Sequence, residues 1–141
     1  MKKVFPTPQD AESAFYEALE RADLEAMMEV WSMDDEITCV HPGGARLIGY
    51  DQVRASWTGM FSGGQGLRVR VMQPVYTLVG MVSIHNVYEV ITVGNEMRPR
   101  QPVLATNVYA RTSDGWRMIA HHASPAPALT ERPPEAPKIL H

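Results

Sequence analysis

The sequence predicts one α+β domain in which a strongly curved antiparallel sheet packs on three N-terminal helices. Three observations predict it. Apolar residues recur at helical spacing from Ala14 to Trp31 and again from Val53 to Phe61. From Leu67 the period falls to two, with Leu67, Val69 and Val71 alternating with Arg68 and Arg70. The alternating segments that follow are long and their connections short, which favours antiparallel neighbours.

The elements follow in order. Thr7 caps a helix that carries Pro8 in its first turn, where a missing N–H costs nothing, and Asp10 and Glu12 sit near its positive end. Ala14, Phe15, Ala18, Leu19 and Ala22 give it one apolar face. Asp23 caps a second helix with Leu24, Met27, Met28, Val30 and Trp31 on its inner face, so two helices occupy about residues 8–32 with a bend at Ala22-Asp23. A strand over 37–41 ends in Pro42-Gly43-Gly44, and Arg46-Leu47-Ile48 is a short extended piece stopped by Gly49. Asp51 caps a third helix whose apolar face is Val53, Trp57, Met60 and Phe61. Gly63-Gly64-Gln65-Gly66 is a hinge. It lacks the Lys-Ser/Thr of a nucleotide loop. Strands are expected from Leu67 and over about 75–79, 82–93, 101–112 and 115–123. The domain is expected to end near residue 124. The segment 125–141 holds five of the eleven prolines and reads as a tail or arm.

The chain has 141 residues, 45% of them hydrophobic and 21% charged, enough to bury a core without covalent staples. Thirteen basic residues face sixteen acidic ones for a net charge of −3, with no basic stripe of the kind nucleic acid requires. Cys39 is the single cysteine, which excludes an internal disulfide and a cysteine-rich zinc site. No apolar run is long enough to span a membrane and the first residues lack the apolar stretch of a secretion signal, so a cytoplasmic location is expected. Three helices cannot cover both faces of the sheet. One face should therefore meet a second copy, and the concave face should hold a pocket.

His41 is the first candidate for chemistry. It ends a strand before a glycine turn, where an imidazole can face a cavity mouth and exchange protons near neutral pH. A bond to the turn backbone is the alternative. Cys39 lies on the same strand face and reads as core filler. His121 and His122 are adjacent on a strand and must point to opposite faces. Strict alternation groups His122 with Trp116 and Met118; one of the two histidines should see the pocket, which one is left open, and His122 is carried as the candidate. His41, His85 and one of this pair could in principle meet around a metal, but no carboxylate at ligand spacing supports that, and neither a metal nor an organic cofactor is expected. Asn107 and Tyr109 share a face among apolar neighbours, so a buried Asn107 needs a ligand, a water or a partner such as His122. Trp31 and Trp57 are expected to pack in the core or wall a pocket for an apolar ligand.

Four segments carry a resemblance. They are Ala22-Asp23-Leu24-Glu25-Ala26-Met27-Met28 ahead of Asp34-Asp35, Thr38-Cys39-Val40-His41-Pro42-Gly43, Leu47-Ile48-Gly49-Tyr50-Asp51-Gln52-Val53, and Asp114-Gly115-Trp116 through His121-His122-Ala123-Ser124. In this order and spacing the chain resembles the nuclear transport factor 2-like superfamily, in its SnoaL-like and ketosteroid isomerase-like branch. The closing segment also resembles the association domain of calcium/calmodulin-dependent kinase II. The resemblance implies a cystatin-like cone with a pocket inside and dimerisation through the outer sheet face. Members include isomerases, cyclases, dehydratases, epoxide hydrolases and non-catalytic binding or assembly domains, so fold alone does not choose among them. His41 falls where the isomerases carry their general-base aspartate. Their oxyanion tyrosine falls near Phe15, with Tyr16 one position off and expected to point elsewhere, and their oxyanion aspartic acid falls near Leu104 or Ala105. Neither position matches, nor does the Asp-Arg-Asp set of the epoxide hydrolases. Asn107 falls near a pocket arginine of the kinase association domain.

The expectation is therefore a cytoplasmic homodimer that binds a small, largely apolar molecule. His41 would act as acid/base in isomerisation, cyclisation or dehydration, with Trp31, Trp57, His85, Asn107, Tyr109 and His122 around the ligand. The alternative is a non-catalytic ligand-binding or assembly module.

Overall fold

The computed structural model describes residues 3–63 and 66–129. Most of the proline-rich segment (130–141), and the centre of the glycine hinge, lie outside the described residues. Helix α1 spans Pro8–Arg21, and Thr7 Oγ1 accepts from the Asp10 amide at 3.0 Å. It ends because Ala22 turns left-handed (φ 51°), which lets the Asp23 amide bond back to Ala18. Asp23 then caps α2 (Leu24–Val30) through the Ala26 amide. The bend therefore falls where the sequence placed it. Helix α3 (Tyr50–Phe61) starts differently. Gly49, at φ 87°, is its N-cap without a side-chain bond, and Asp51 sits inside the first turn. Of its expected apolar face, Val53 and Trp57 are buried while Met60 is exposed.

The strands are β1 (Thr38–Val40), β2 (Leu47–Ile48), β3 (Leu67–Val79), β4 (Val82–Val93), β5 (Val103–Thr112) and β6 (Gly115–Pro125). They form one unclosed sheet in the order β2-β1-β6-β5-β4-β3. All pairs are antiparallel except β1 with β6, a crossover that brings the first strand beside the last. The two segments expected at 67–71 and 75–79 are one strand. Pro74 and a left-handed Gln73 (φ 50°) make a bulge inside it rather than ending it.

A second bulge decides which side chains face inward. Val108 pairs with Ala120 but Tyr109 pairs with Met118, so Ile119 is an extra residue on β6. Before it Trp116 and Met118 are buried, and after it His121 and Ala123 are. Strict alternation from Trp116 would have turned His122 inward; the inserted residue reverses the phase.

The concave face packs on the helices through Phe15, Met27, Trp57, Val87, Tyr109 and Met118. Full burial of each such side chain contributes about 1.5–3 kcal/mol. At the start of β6, Gly115 has φ 90°, and a Cβ there would stand 2.8 Å from the Phe5 carbonyl oxygen. Gly115→Ala is expected to cost about 1–3 kcal/mol from backbone strain alone, more with the clash, read as a lower denaturation midpoint.

Candidate functional site

One register level of the concave face carries polar or sulfur-bearing side chains from β3 across to β1. Tyr76, His85, Asn107, His121 and Cys39 lie side by side on β3, β4, β5, β6 and β1. Helix α1 lowers Glu12 and Tyr16, one turn apart, onto this row. Tyr16 is buried along with Phe15, because α1 is packed on two sides and its inner face is too wide for one stripe. The expectation that Tyr16 points elsewhere is therefore corrected.

Four groups form a directed chain. His121 Nδ1 donates to Asn107 Oδ1 (2.5 Å), and Asn107 Nδ2 donates to the Tyr16 hydroxyl oxygen (2.8 Å). That hydroxyl donates to Glu89 Oε2 (2.7 Å). Since an amide oxygen only accepts, His121 carries its hydrogen on Nδ1. Every hydrogen points towards Glu89. Burial nonetheless dominates there and pushes the Glu89 carboxyl up to about 7, with the Tyr16 bond opposing. Burial, and then the neighbouring His41 and His122, push His121 down to about 3, so its ring is neutral. Tyr16 is held well above the usual phenol value, first by burial and then by Glu89.

His41 follows β1 and is half-buried. Its Nε2 lies 2.6 Å from Ser56 Oγ on α3 and 3.7 Å from Cys39 Sγ. Its ring meets Trp57 edge-on at 4.8 Å and lies 6.3 Å from the ring of His121. Burial lowers its pKa, which favours the neutral imidazole. Cys39, on the same strand face as His41, touches it. Burial pushes the thiol up to about 12, so Cys39 is a protonated core group.

The other candidates separate. Trp57 is buried among Phe15, Phe61 and His121. Trp31 does not join them. The chain leaves α2 at Trp31 to bridge Met118, and Trp31, 1% exposed, packs in the core, the first of its two expected places. His122 is exposed on the opposite face, so His121 takes the place expected of it. Asn107 bonds His121, not His122. His85 is buried against Tyr109, and Glu12 accepts from it. Among the described residues no group of three or more His, Cys, Asp or Glu is arranged to hold a metal ion.

Sequence reasoning passed over Glu89, Ser56 and Glu12. A signal existed for Glu89, since strand alternation puts it on the face of Ser83, His85 and Val87. Ser56 and Glu12 lie far from their partners in the chain and left no local pattern.

The family model of the SnoaL-like domain matches residues 9–128. The chain belongs to this family. Among solved structures, the SnoaL-like domain is similar to a Thiobacillus denitrificans protein provisionally named a calcium/calmodulin-dependent protein kinase type II association domain. The two are 45% identical over 89% of this chain and 99% of that one, with a TM-score of 0.80. It is similar also to a Streptomyces avermitilis protein provisionally named a dehydratase of the nuclear transport factor 2-like family. Identity there is 33%, over 84% of this chain and 92% of that one, with a TM-score of 0.76. The curved, unclosed sheet around three helices is the cystatin-like fold, as in a Nostoc punctiforme domain 14% identical with a TM-score of 0.69. Among curated proteins it matches F-box protein SKIP8 of Arabidopsis thaliana, 28% identical over 117 residues, 78% of this chain and 46% of that protein. The chain thus spans under half the length of that relative. No helix among the described residues is long and apolar enough to cross a membrane.

Proposed function

We propose that the SnoaL-like domain binds a small, largely apolar molecule at the rim formed by Trp57, Phe61 and His41. His41 then moves a proton on it, in a reaction of the isomerase, cyclase or dehydratase type. The observation that carries this reading is a neutral, half-buried imidazole beside a buried chain that ends in a carboxyl group titrating at about 7. A neutral imidazole that is half-exposed, and a carboxyl raised to about 7, suit acid/base work. The hydrogens of the His121–Asn107–Tyr16–Glu89 chain are all committed within it, so its part is to hold the neutral His121 ring beside His41. The likeness to a provisionally named dehydratase supports the same class. His41→Ala is expected to keep the fold, since its ring is half-exposed. It should cut turnover of a responsive substrate by roughly a hundredfold or more, and undiminished turnover would remove His41 from the chemistry.

A second reading, a non-catalytic assembly module, has its own support. The rings of Phe15, Trp57 and His121 stand 5.1–6.2 Å apart by centroid, so the interior is filled by its own side chains, and the 45% identical relative is named for association. A ligand that co-purifies, or one whose binding His41→Ala weakens, would favour the first reading.

Either reading includes a homodimer through the outer sheet face. Val75, Ile84 and Val79 (65% exposed) lie on that face, an apolar surface of the kind partners cover. Sedimentation at micromolar concentration is expected to give the dimer mass, and a monomer would contradict it.

A further inference from the structure

The two ring nitrogens of His41 meet different surroundings. The backbone of this residue is fixed by the turn that follows it, where the Gly44 amide bonds to the His41 carbonyl (2.8 Å). The ring is held from the other side, by α3. Ser56 directly precedes Trp57, so the turn of α3 that lays the indole against the imidazole also brings the Ser56 hydroxyl to Nε2.

Nε2 is enclosed. Ser56 Oγ lies 2.6 Å from it, and Sγ of the fully buried Cys39 lies 3.7 Å from it. Nδ1 is open. It makes no hydrogen bond among the described residues, and it is not one of the buried side-chain polar atoms left without a partner, which are Trp31 Nε1, Trp57 Nε1 and the Tyr109 hydroxyl. A proton passes between His41 and a ligand at Nδ1, then, and not at Nε2.

For Nδ1 to take a proton, the neutral ring must carry its hydrogen on Nε2. The bond made by one ring nitrogen settles the state of the other. Ser56 Oγ can accept from Nε2 in the neutral ring and go on accepting in the imidazolium, so nothing turns round when the proton arrives. The opposite arrangement, with the hydroxyl donating to Nε2, would put the hydrogen on Nδ1 and leave no basic nitrogen within a ligand's reach. The Cys39 thiol is a weak partner at its distance.

We propose that Ser56 is the positioning residue of His41, accepting from Nε2 and thereby presenting a bare Nδ1 to the ligand. The proposal rests on the proton-transfer reading and narrows it, because the exchanging hydrogen of the ligand must come to Nδ1. The proton taken there is returned to another atom of the same ligand, or to its leaving hydroxyl in a dehydration, and the ring ends as it began. The titratable groups against the ring are Cys39 on β1 and His121 on β6, while α3 contributes the uncharged Ser56 and Trp57.

The test uses the full chain without ligand and nitrogen NMR of the imidazole, which tells a bare ring nitrogen from a protonated one. Above its midpoint, His41 is expected to show a protonated Nε2 and a bare Nδ1. Ser56→Ala keeps α3, since alanine is the stronger helix former. It is expected to mix the two neutral forms. It should also lower the His41 midpoint by about one unit, tenfold in proton affinity, because the imidazolium loses an acceptor. Ser56→Thr, which keeps the hydroxyl, is expected to restore both, and Cys39→Ala to change neither. A native ring protonated on Nδ1, a Ser56→Ala ring indistinguishable from the native one, or a tautomer that follows Cys39 instead would overturn the assignment. The reading beneath it fails separately: undiminished turnover in His41→Ala removes the catalysis, while the tautomer of the native ring still tells whether Ser56 holds it.

Discussion

Replacing Glu89 with glutamine is expected to leave stability unchanged below pH 4.5 and to raise it, relative to the unsubstituted chain, by about 3 kcal/mol above pH 7. Unfolded, Glu89 titrates at the ordinary 4.5; folded, burial raises it to about 7. Between those values the folded chain binds the extra proton, so Glu89 costs stability as pH rises. Glutamine still accepts the Tyr16 hydrogen bond but carries no charge to bury. His121 acts in the opposite sense. It titrates at 6.5 unfolded and about 3 folded, so the unfolded chain binds the extra proton and stability falls as pH drops from 6.5 towards 3, by roughly 5 kcal/mol at the limit. From 4.5 to 6.5 the two slopes cancel, which sets a plateau with a falling edge on each side. Chemical denaturation across pH 3–8 measures this, with the difference between the two proteins removing the contribution of other carboxylates. A pH-independent difference would mean that Glu89 is not the group responsible.

Asn107→Ala is expected to cost about 3–4 kcal/mol. Asn107 is fully buried, accepts from His121 and donates to Tyr16. Alanine leaves the Nδ1 hydrogen of His121 without an acceptor and the Tyr16 oxygen without a donor, each worth about 1–3 kcal/mol, and opens a small cavity. The loss is read as a lower denaturation midpoint. The Glu89 midpoint should rise as well, because Tyr16 is polarised towards Glu89 by the amide behind it. A stability change under 1 kcal/mol would show that the chain of four contributes little.

The sequence carried the architecture well, because its signals were local. Thr7, Pro8 and Asp23 mark helix ends within a few residues, and alternation from Leu67 onward marks strands whatever they pair with. It carried the site less well. His41, His85, Asn107 and Tyr109 were visible as polar or aromatic residues among apolar neighbours. Their partners were not visible, since Tyr16–Asn107 and Glu12–His85 join residues 91 and 73 positions apart. Alternation also fails wherever a residue is inserted. That is why alternation put His122, not His121, with Trp116 and Met118, and why β3 was divided at Pro74.

The insertion at Ile119 thus works as a frame setter. Both histidines of β6 are present whichever way the strand phases, and one residue of slack decides which of them is dry and which is wet. Were Ile119 drawn into the ladder as an ordinary paired residue, His122 and Ser124 would face α1 where His121 and Ala123 now do. Excising Ile119 would instead leave Met118, His121 and Ala123 facing inward in an uninterrupted strand.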